Sequence, residues 1–292
     1  MCYATAVRAH SSEAGFPVFM RNVHDGLLQL RSGAVLHVDG PPGGFPVLFL
    51  HGMGGGAWSW KPQRDVFAQS YRVFVWEARG HGSAARVDDA SVDDYYIDAR
   101  DALAAVLDDA RRPAVLVGHS LGGLLAMRLA CDVAAGEAGL FLIEPGYEIF
   151  GKTPLAVAAP LLGPLAGAFT SATLKSAFAR AFENRERMEE AWPDQARQVP
   201  FEYPRFYRDL FAGAKGFAVR DFAKDIHDPT VLLEGSRVPR TLRRGIRQLA
   251  ETLRAHLGED FHHETVPGGH YLQLDVPDTV NSQLRRFLER VR

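Results

Sequence analysis

Ser120 stands in Gly118-His119-Ser120-Leu121-Gly122, between the apolar run Ala114-Val115-Leu116-Val117 and a stretch of helical spacing from Leu121 to about Val133. A serine wedged between the end of a buried strand and the start of a helix must turn sharply, and glycines at 118 and 122 remove the side chains that would collide as strand and helix close on each other. The hydroxyl is then held at the carboxyl edge of a sheet, with a helix N-terminus pointing at it. Such a serine is a candidate nucleophile, but at neutral pH it needs a base within hydrogen-bond reach and a third group to fix that base. His270 is the expected base, because it follows Gly268-Gly269 after the last strand-like run, where a loop can swing an imidazole over the turn. No H-E-x-x-H or comparable grouping calls for a metal, and no cofactor is implied.

The elements that must hold these residues read as alternating strands and helices. Gly26 to Val38 gives two short strands turned by Ser32-Gly33, expected as an antiparallel edge. Val47-Leu48-Phe49-Leu50 is a continuous apolar run suited to a central strand, and it runs into the glycine-rich His51-Gly52-Met53-Gly54-Gly55-Gly56-Ala57-Trp58. That loop has backbone N–H groups free to meet a ligand. A phosphate cradle is disfavoured, since no Gly-Lys-Ser/Thr ending and no G-x-G-x-x-G opening a helix is present. Strands follow at Arg72 to Trp76, Gly139 to Ile143, Pro229 to Gly235 and Phe261 to Val266, where His262 and His263 read as two faces of one strand. Helices are expected at Tyr95 to Ala110, Arg240 to His256 and Val280 to Val291.

This pattern predicts an α/β fold, a doubly wound and mostly parallel sheet. It is interrupted between Tyr147 and Asp225, which hold no strand-like run but Ala- and Phe-rich helical segments broken by prolines, Pro193 among them. Residues 1–146 and 226–292 are therefore read as the core and 147–225 as a helical insertion. The lead-in before about Val23 has no sustained period.

A chain of 292 residues can bury a sizeable core. With a formal charge of -2, a pI near 6.6 and no basic block, a nucleic-acid partner is not expected. Cys2 and Cys131 are too few and too poorly placed for a structural disulfide, so a reducing, cytoplasmic setting is the simpler reading. The first residues lack a basic segment leading into an apolar core, so no signal peptide is expected. The longest apolar stretch, about Pro154 to Phe169, is interrupted by prolines and falls short of the roughly 20 residues of a membrane span.

Through Leu48-Phe49-Leu50-His51-Gly52, Arg79-Gly80-His81-Gly82, Gly118-His119-Ser120-Leu121-Gly122-Gly123 and Gly268-Gly269-His270, the chain resembles the α/β-hydrolase superfamily from about Gly26 to its last helix. The resemblance implies that residues 147–225 form a helical cap, and that the backbone N–H groups of Met53 and Leu121 form an oxyanion hole. It also implies structural roles for His51, His81 and His119, and for the Arg79-Gly80-His81-Gly82 turn after Glu77, where family members commonly have Asp. The acid departs from the pattern. The usual site, three residues past Gly235, is filled by Val238. Some members carry the acid after the preceding core strand, which here is Glu144, with Glu234 as the fallback. Glu144 could instead cap the Pro145-Gly146 turn.

The expected activity is hydrolysis of a carboxylic ester or related acyl bond through Ser120, His270 and Glu144. Carbon–carbon cleavage, acyl transfer or a non-catalytic receptor are alternatives on the same scaffold. The aromatic density of the insertion points to a hydrophobic small molecule as substrate. The oligomeric state is left open.

Overall fold

The computed structural model describes residues 26–87, 90–132, 137–146, 171–198 and 217–292. The lead-in and much of the insertion, residues 147–170 and 199–216, lie outside the described residues.

Eight strands form one sheet: β1 (Leu27–Gln29), β2 (Val35–Asp39), β3 (Phe45–Leu50), β4 (Tyr71–Glu77), β5 (Ala114–His119), β6 (Glu137–Ile143), β7 (Thr230–Gly235) and β8 (Phe261–Val266). Their order is β1-β2-β4-β3-β5-β6-β7-β8. The expected edge hairpin pairs antiparallel, β2 pairs antiparallel to β4, and every later pair is parallel. Pro46 lies inside β3 without cost to the β5 ladder, because β5 first pairs at Val47. Eight helices accompany the strands among the described residues: α1 (Lys61–Phe67), α2 (Val92–Ala110), α3 (Leu121–Asp132), α4 (Ser171–Ala179), α5 (Arg185–Gln198), α6 (Arg240–Leu257), α7 (Leu272–Asp275) and α8 (Pro277–Val291). No helix among them is long and apolar enough to cross a membrane.

The central strands are covered on both faces, and side-chain alternation assigns each residue to a core. Leu48, Leu50, Phe74, Trp76, Leu116, Leu140, Leu142 and Leu232 pack with α2, α3 and α6 on one side. Val47, Phe49, Val73, Val75, Val117, Phe141, Ile143 and Leu233 pack on the other with Trp60, Phe67 and the α8 residues Val280, Leu284, Phe287 and Leu288. The spacing of those four residues is one helical face, and each such buried side chain contributes about 1.5–3 kcal/mol.

Several element boundaries differ from the sequence reading, α8 among them, which opens at Pro277 rather than Val280, and at two points the local reason is plain. Helix α2 begins at Val92 rather than Tyr95, because Ser91 and Asp94 form a reciprocal capping box. Pro193 does not break the insertion but lies within α5. A smaller cluster of Phe178, Met188, Ala191, Tyr271 and Leu274 joins α4 and α5 to the chain after β8.

After β3 the chain forms β4 on one side and then crosses to form β5 on the other, so the loops leaving the carboxyl ends of β3 and β5 diverge. A crevice belongs at such a switch point.

Candidate active site

Ser120 occupies the turn between β5 and α3 with φ of 52°, a left-handed conformation uncommon for a residue with a side chain. Surrounding bonds hold it there. Its N–H donates to Ile143 O at 3.1 Å, and its carbonyl accepts from Gly123, Leu124 and Gly146 N–H at 2.9 to 3.1 Å. The steric reason for both glycines is visible: a Cβ at Gly122 would lie 2.1 Å from Leu50 O, and one at Gly118 would lie 2.6 Å from Gly122 O. The N–H of Leu121 opens α3, where first-turn donors have no helical acceptor. Neither it nor the N–H of half-buried Met53 is hydrogen-bonded among the described residues.

The loop carrying Met53 is set by two neutral histidines. His51 donates from Nδ1 to Gly52 O at 2.7 Å, accepts from Ala78 N–H at 3.1 Å through Nε2, and stacks on Trp76. His81 accepts from Gly54 N–H at 3.3 Å and pairs through Nδ1 with Arg79 O. Burial lowers the pKa of both, His81 to about 3, so neither is built for proton transfer near neutrality. Glu77, whose signal in the sequence was only a departure from Asp, accepts from Ala57 N–H at 2.8 Å, Ser83 N–H at 2.9 Å, Ser83 Oγ at 2.6 Å and His37 Nε2 at 2.9 Å. Burial would raise its pKa, but these donors together hold it at about 2.

His270 follows β8 and lies on the same edge as Ser120. His119 links the two regions: its Nε2–H donates to His270 O at 2.9 Å, and the two rings lie 4.7 Å apart. Glu144 directly follows β6, is fully buried, and also adopts a left-handed φ, 46°. One carboxylate oxygen accepts from Gly235 N–H. The other, Oε2, lies 3.5 Å from His270 Nδ1. The two face each other in ion-pair range without a closed hydrogen bond, and neither has another hydrogen-bond partner among the described residues. Burial raises the Glu144 pKa, and His270 opposes that shift.

Glu234 is placed elsewhere. Its oxygens meet Arg243 Nε at 3.2 Å and His263 Nε2 at 3.2 Å. Val238 is buried. The structure thus brings Ser120, His270, Glu144 and the Met53 loop to one edge and leaves Glu234 in a separate ion-pair group. No group of three or more metal-ligating side chains occurs among the described residues.

An aromatic wall borders this edge. Tyr271 stacks on Phe182 at 5.3 Å and packs against Phe178 at 5.2 Å and His119 at 4.9 Å. Phe178 also meets Trp58, from the glycine-rich loop, at 6.3 Å. Of the aromatic residues of the insertion, Phe150, Phe169, Phe201, Phe206, Phe211, Tyr147, Tyr203 and Tyr207 lie outside the described residues. Sequence reasoning missed Asp275, which accepts from three backbone N–H groups beside His270. Nothing in the spacing Tyr271-Leu272-Gln273-Leu274-Asp275 distinguishes it from a surface acid.

Comparison with known proteins agrees with this architecture. A family model described as "Alpha/beta hydrolase family" matches residues 47–283. A Variovorax paradoxus (strain S110) protein named as a carbamate hydrolase, RutD, is 39% identical over 111 residues, 37% of this chain and 40% of that protein. The 2-succinyl-6-hydroxy-2,4-cyclohexadiene-1-carboxylate synthase of Shigella dysenteriae serotype 1 (strain Sd197) is 36% identical over 118 residues, 39% of this chain and 44% of that enzyme. The chain thus spans about two-fifths of the length of the curated relatives it matches. Among solved structures, Est816, described as an N-acyl homoserine lactone degrading enzyme, superposes with a TM-score of 0.68 at 25% identity, covering 90% of this chain and 98% of that one.

Proposed function

The chain belongs to the α/β-hydrolase family, and from that premise we propose that it is a serine hydrolase cleaving a carboxylic ester or related acyl bond of a hydrophobic small molecule. The observation that carries this reading is Glu144 Oε2 facing His270 Nδ1 on the edge that presents Ser120. In this reading Glu144 keeps the His270 proton on Nδ1 and leaves Nε2 free to take the Ser120 proton. The alkoxide attacks the acyl carbon, and the developing oxyanion is met by the unpaired N–H groups of Met53 and Leu121. His270 then donates its new proton to the leaving group. Water, deprotonated by the same imidazole, releases the acid from the acyl-enzyme. No metal or cofactor enters these steps.

Residues 147–225 are assigned as the cap over the site. The packing of Phe178 against Tyr271, next to His270, supports that assignment and an apolar substrate body.

A fluorophosphonate should label Ser120 of the wild type, and Ser120→Ala should abolish labelling and lower turnover by on the order of a million-fold, with the fold intact. Near-normal turnover by that variant would end the hydrolase reading. The similarity to a synthase over 118 residues favours a second reading, in which the same residues act in carbon–carbon chemistry or transfer an acyl group to another acceptor. Turnover of aryl esters measured against vinylogous diketones separates the two.

A further inference from the structure

We propose that Asp275 is a positioning residue for the His270 base, fastening the loop that carries His270 to the chain leading into α5. The inference rests on the serine-hydrolase reading above. Asp275 ends the short helix α7, five residues past His270, and is 3% exposed. Its Oδ2 accepts from Gly269 N–H at 2.7 Å and from Glu183 N–H at 2.9 Å, and its Oδ1 accepts from Asn184 N–H at 2.7 Å. Gly269 immediately precedes His270. Glu183 and Asn184 immediately precede α5, which Asn184 caps by accepting from Glu186 and Arg187 N–H.

An ionised carboxylate is an acceptor only, so one Asp can take three N–H donors, whereas an amide of the same shape must turn its NH₂ toward at least one of them. A second contact runs beside the first. Tyr271 N–H donates to Ala181 O at 3.3 Å, and a Cβ at Gly269 would lie 2.2 Å from that same oxygen. Residues 269 and 271 are therefore both held by the 181–184 segment, while the carbonyl of His270 itself is held by His119. The backbone that carries the imidazole is therefore tied to the chain between α4 and α5. Asp275 is the polar joint in this contact, and it touches neither Ser120 nor the reacting atoms.

Displacing a base by about 1 Å costs rate rather than affinity, on the order of 10²-fold. Turnover of an aryl ester would be normalised to active sites titrated by a fluorophosphonate burst, with KM and Tm recorded. Asp275→Asn should lower kcat per titrated site by ~10- to 100-fold with KM within about threefold. A residue serving stability alone would lower Tm and the number of titratable sites and leave kcat per site within twofold of wild type, and that result overturns the proposal. Where Asp275→Asn does not fold, Glu183→Pro against Glu183→Ala decides it: both lose the ion pair of Glu183 with Arg237, but only proline removes the N–H donated to Oδ2. Glu183→Pro should turn over at least ~5-fold more slowly per site than Glu183→Ala, and equal rates overturn the proposal. Failure of the wild type to take the label would instead sink the serine-hydrolase reading.

Discussion

Glu144 and Glu234 stand at the carboxyl ends of neighbouring strands, and only Glu144 faces His270: its Oε2 is 3.5 Å from Nδ1, while Glu234 is held between Arg243 and His263. The difference is electrostatic as well as geometric. Glu234 already has a permanent cation beside it. Glu144 is buried, its pKa is raised by that burial, and the group across from it becomes a cation only when His270 takes a proton. A carboxylate in that position lowers the energy of the imidazolium more than that of the resting imidazole, which is the differential stabilisation a triad acid supplies.

Glu144→Gln keeps the shape and removes the charge, so kcat should fall by ~10³ to 10⁴-fold, as loss of a triad acid does elsewhere. Glu234→Gln should slow turnover far less, while lowering stability by leaving Arg243 and His263 without their anion. Steady-state kinetics and urea unfolding on both variants check this, and the opposite kinetic ranking would make Glu234 the acid.

Stability should fall as the solution is acidified below the ordinary histidine range. His81 is held neutral in the fold, with its pKa lowered from 6.5 to about 3 by burial, so between those values the unfolded chain binds a proton that the native chain does not. Unfolding free energy therefore rises with pH there, by about 1.4 kcal/mol per unit for one such group, and is fully present only above 6.5. His51 and His119, also lowered by burial, act with the same sign. Urea titrations at pH 7, 6 and 5 should show the loss, and His81→Gln, whose amide oxygen can still accept from Gly54 N–H, should flatten the slope. An unchanged slope would mean that His81 is not held neutral.

The turn at Ser120 was legible because its cause is local: Gly118 and Gly122 are required by the close approach of strand backbone to the helix that follows Ser120. The apolar runs of β3, β5, β6 and β7 were legible for a similar reason, since a strand buried on both faces has no polar alternation to disguise it. Helix α2 was read three residues short because apolar spacing points to Tyr95, whereas its start is set by Ser91 and Asp94 bonding to each other. For the partner of His270 the sequence favours Glu144 with Glu234 as the fallback, because both strand ends offer a carboxylate; that Glu144 faces His270 while Glu234 pairs with Arg243 and His263 depends on packing that residue types do not encode. Asp275 and Glu77 were not legible as organising groups. Most of their donors are backbone N–H groups, those of Ala57, Ser83, Glu183, Asn184 and Gly269, and a donor that every residue carries leaves no trace in residue type.

Glu77 should matter for stability more than its place at the end of β4 suggests. It joins β4 to Ala57, Ser83 and His37, and Glu77→Gln would set an NH₂ against donors that now meet an anion. A loss of roughly 2–4 kcal/mol follows from removing a buried charged acceptor with several partners. The acid limb of the stability profile should change with it. A carboxyl lowered from 4.5 to about 2 stabilises the fold above 4.5 and loses that contribution as pH falls toward 2, so the variant should lack that part of the decline. Unfolding at pH 7 and pH 3.5 tests both statements.

Phe182 offers the sharpest test of substrate character. Its ring stacks on Tyr271 at 5.3 Å with an interplanar angle of 13°, one residue past His270, and is less deeply buried than Phe178 beside it. A ring in that place either packs α4 onto the core or presents an apolar face to the acyl or alcohol part of the substrate. The two roles differ in what truncation does across a matched ester series. If the ring meets substrate, Phe182→Ala should lower kcat/KM for hydrophobic aryl esters by ~10- to 30-fold, the kinetic equivalent of about 1.5–2 kcal/mol of lost apolar contact, and change acetate esters of polar alcohols by less than about threefold. The wild type should itself prefer the hydrophobic members of the series. An equal fall across the whole series would assign Phe182 to packing alone, and a wild-type preference for the polar acetates would remove the apolar substrate from the reading altogether.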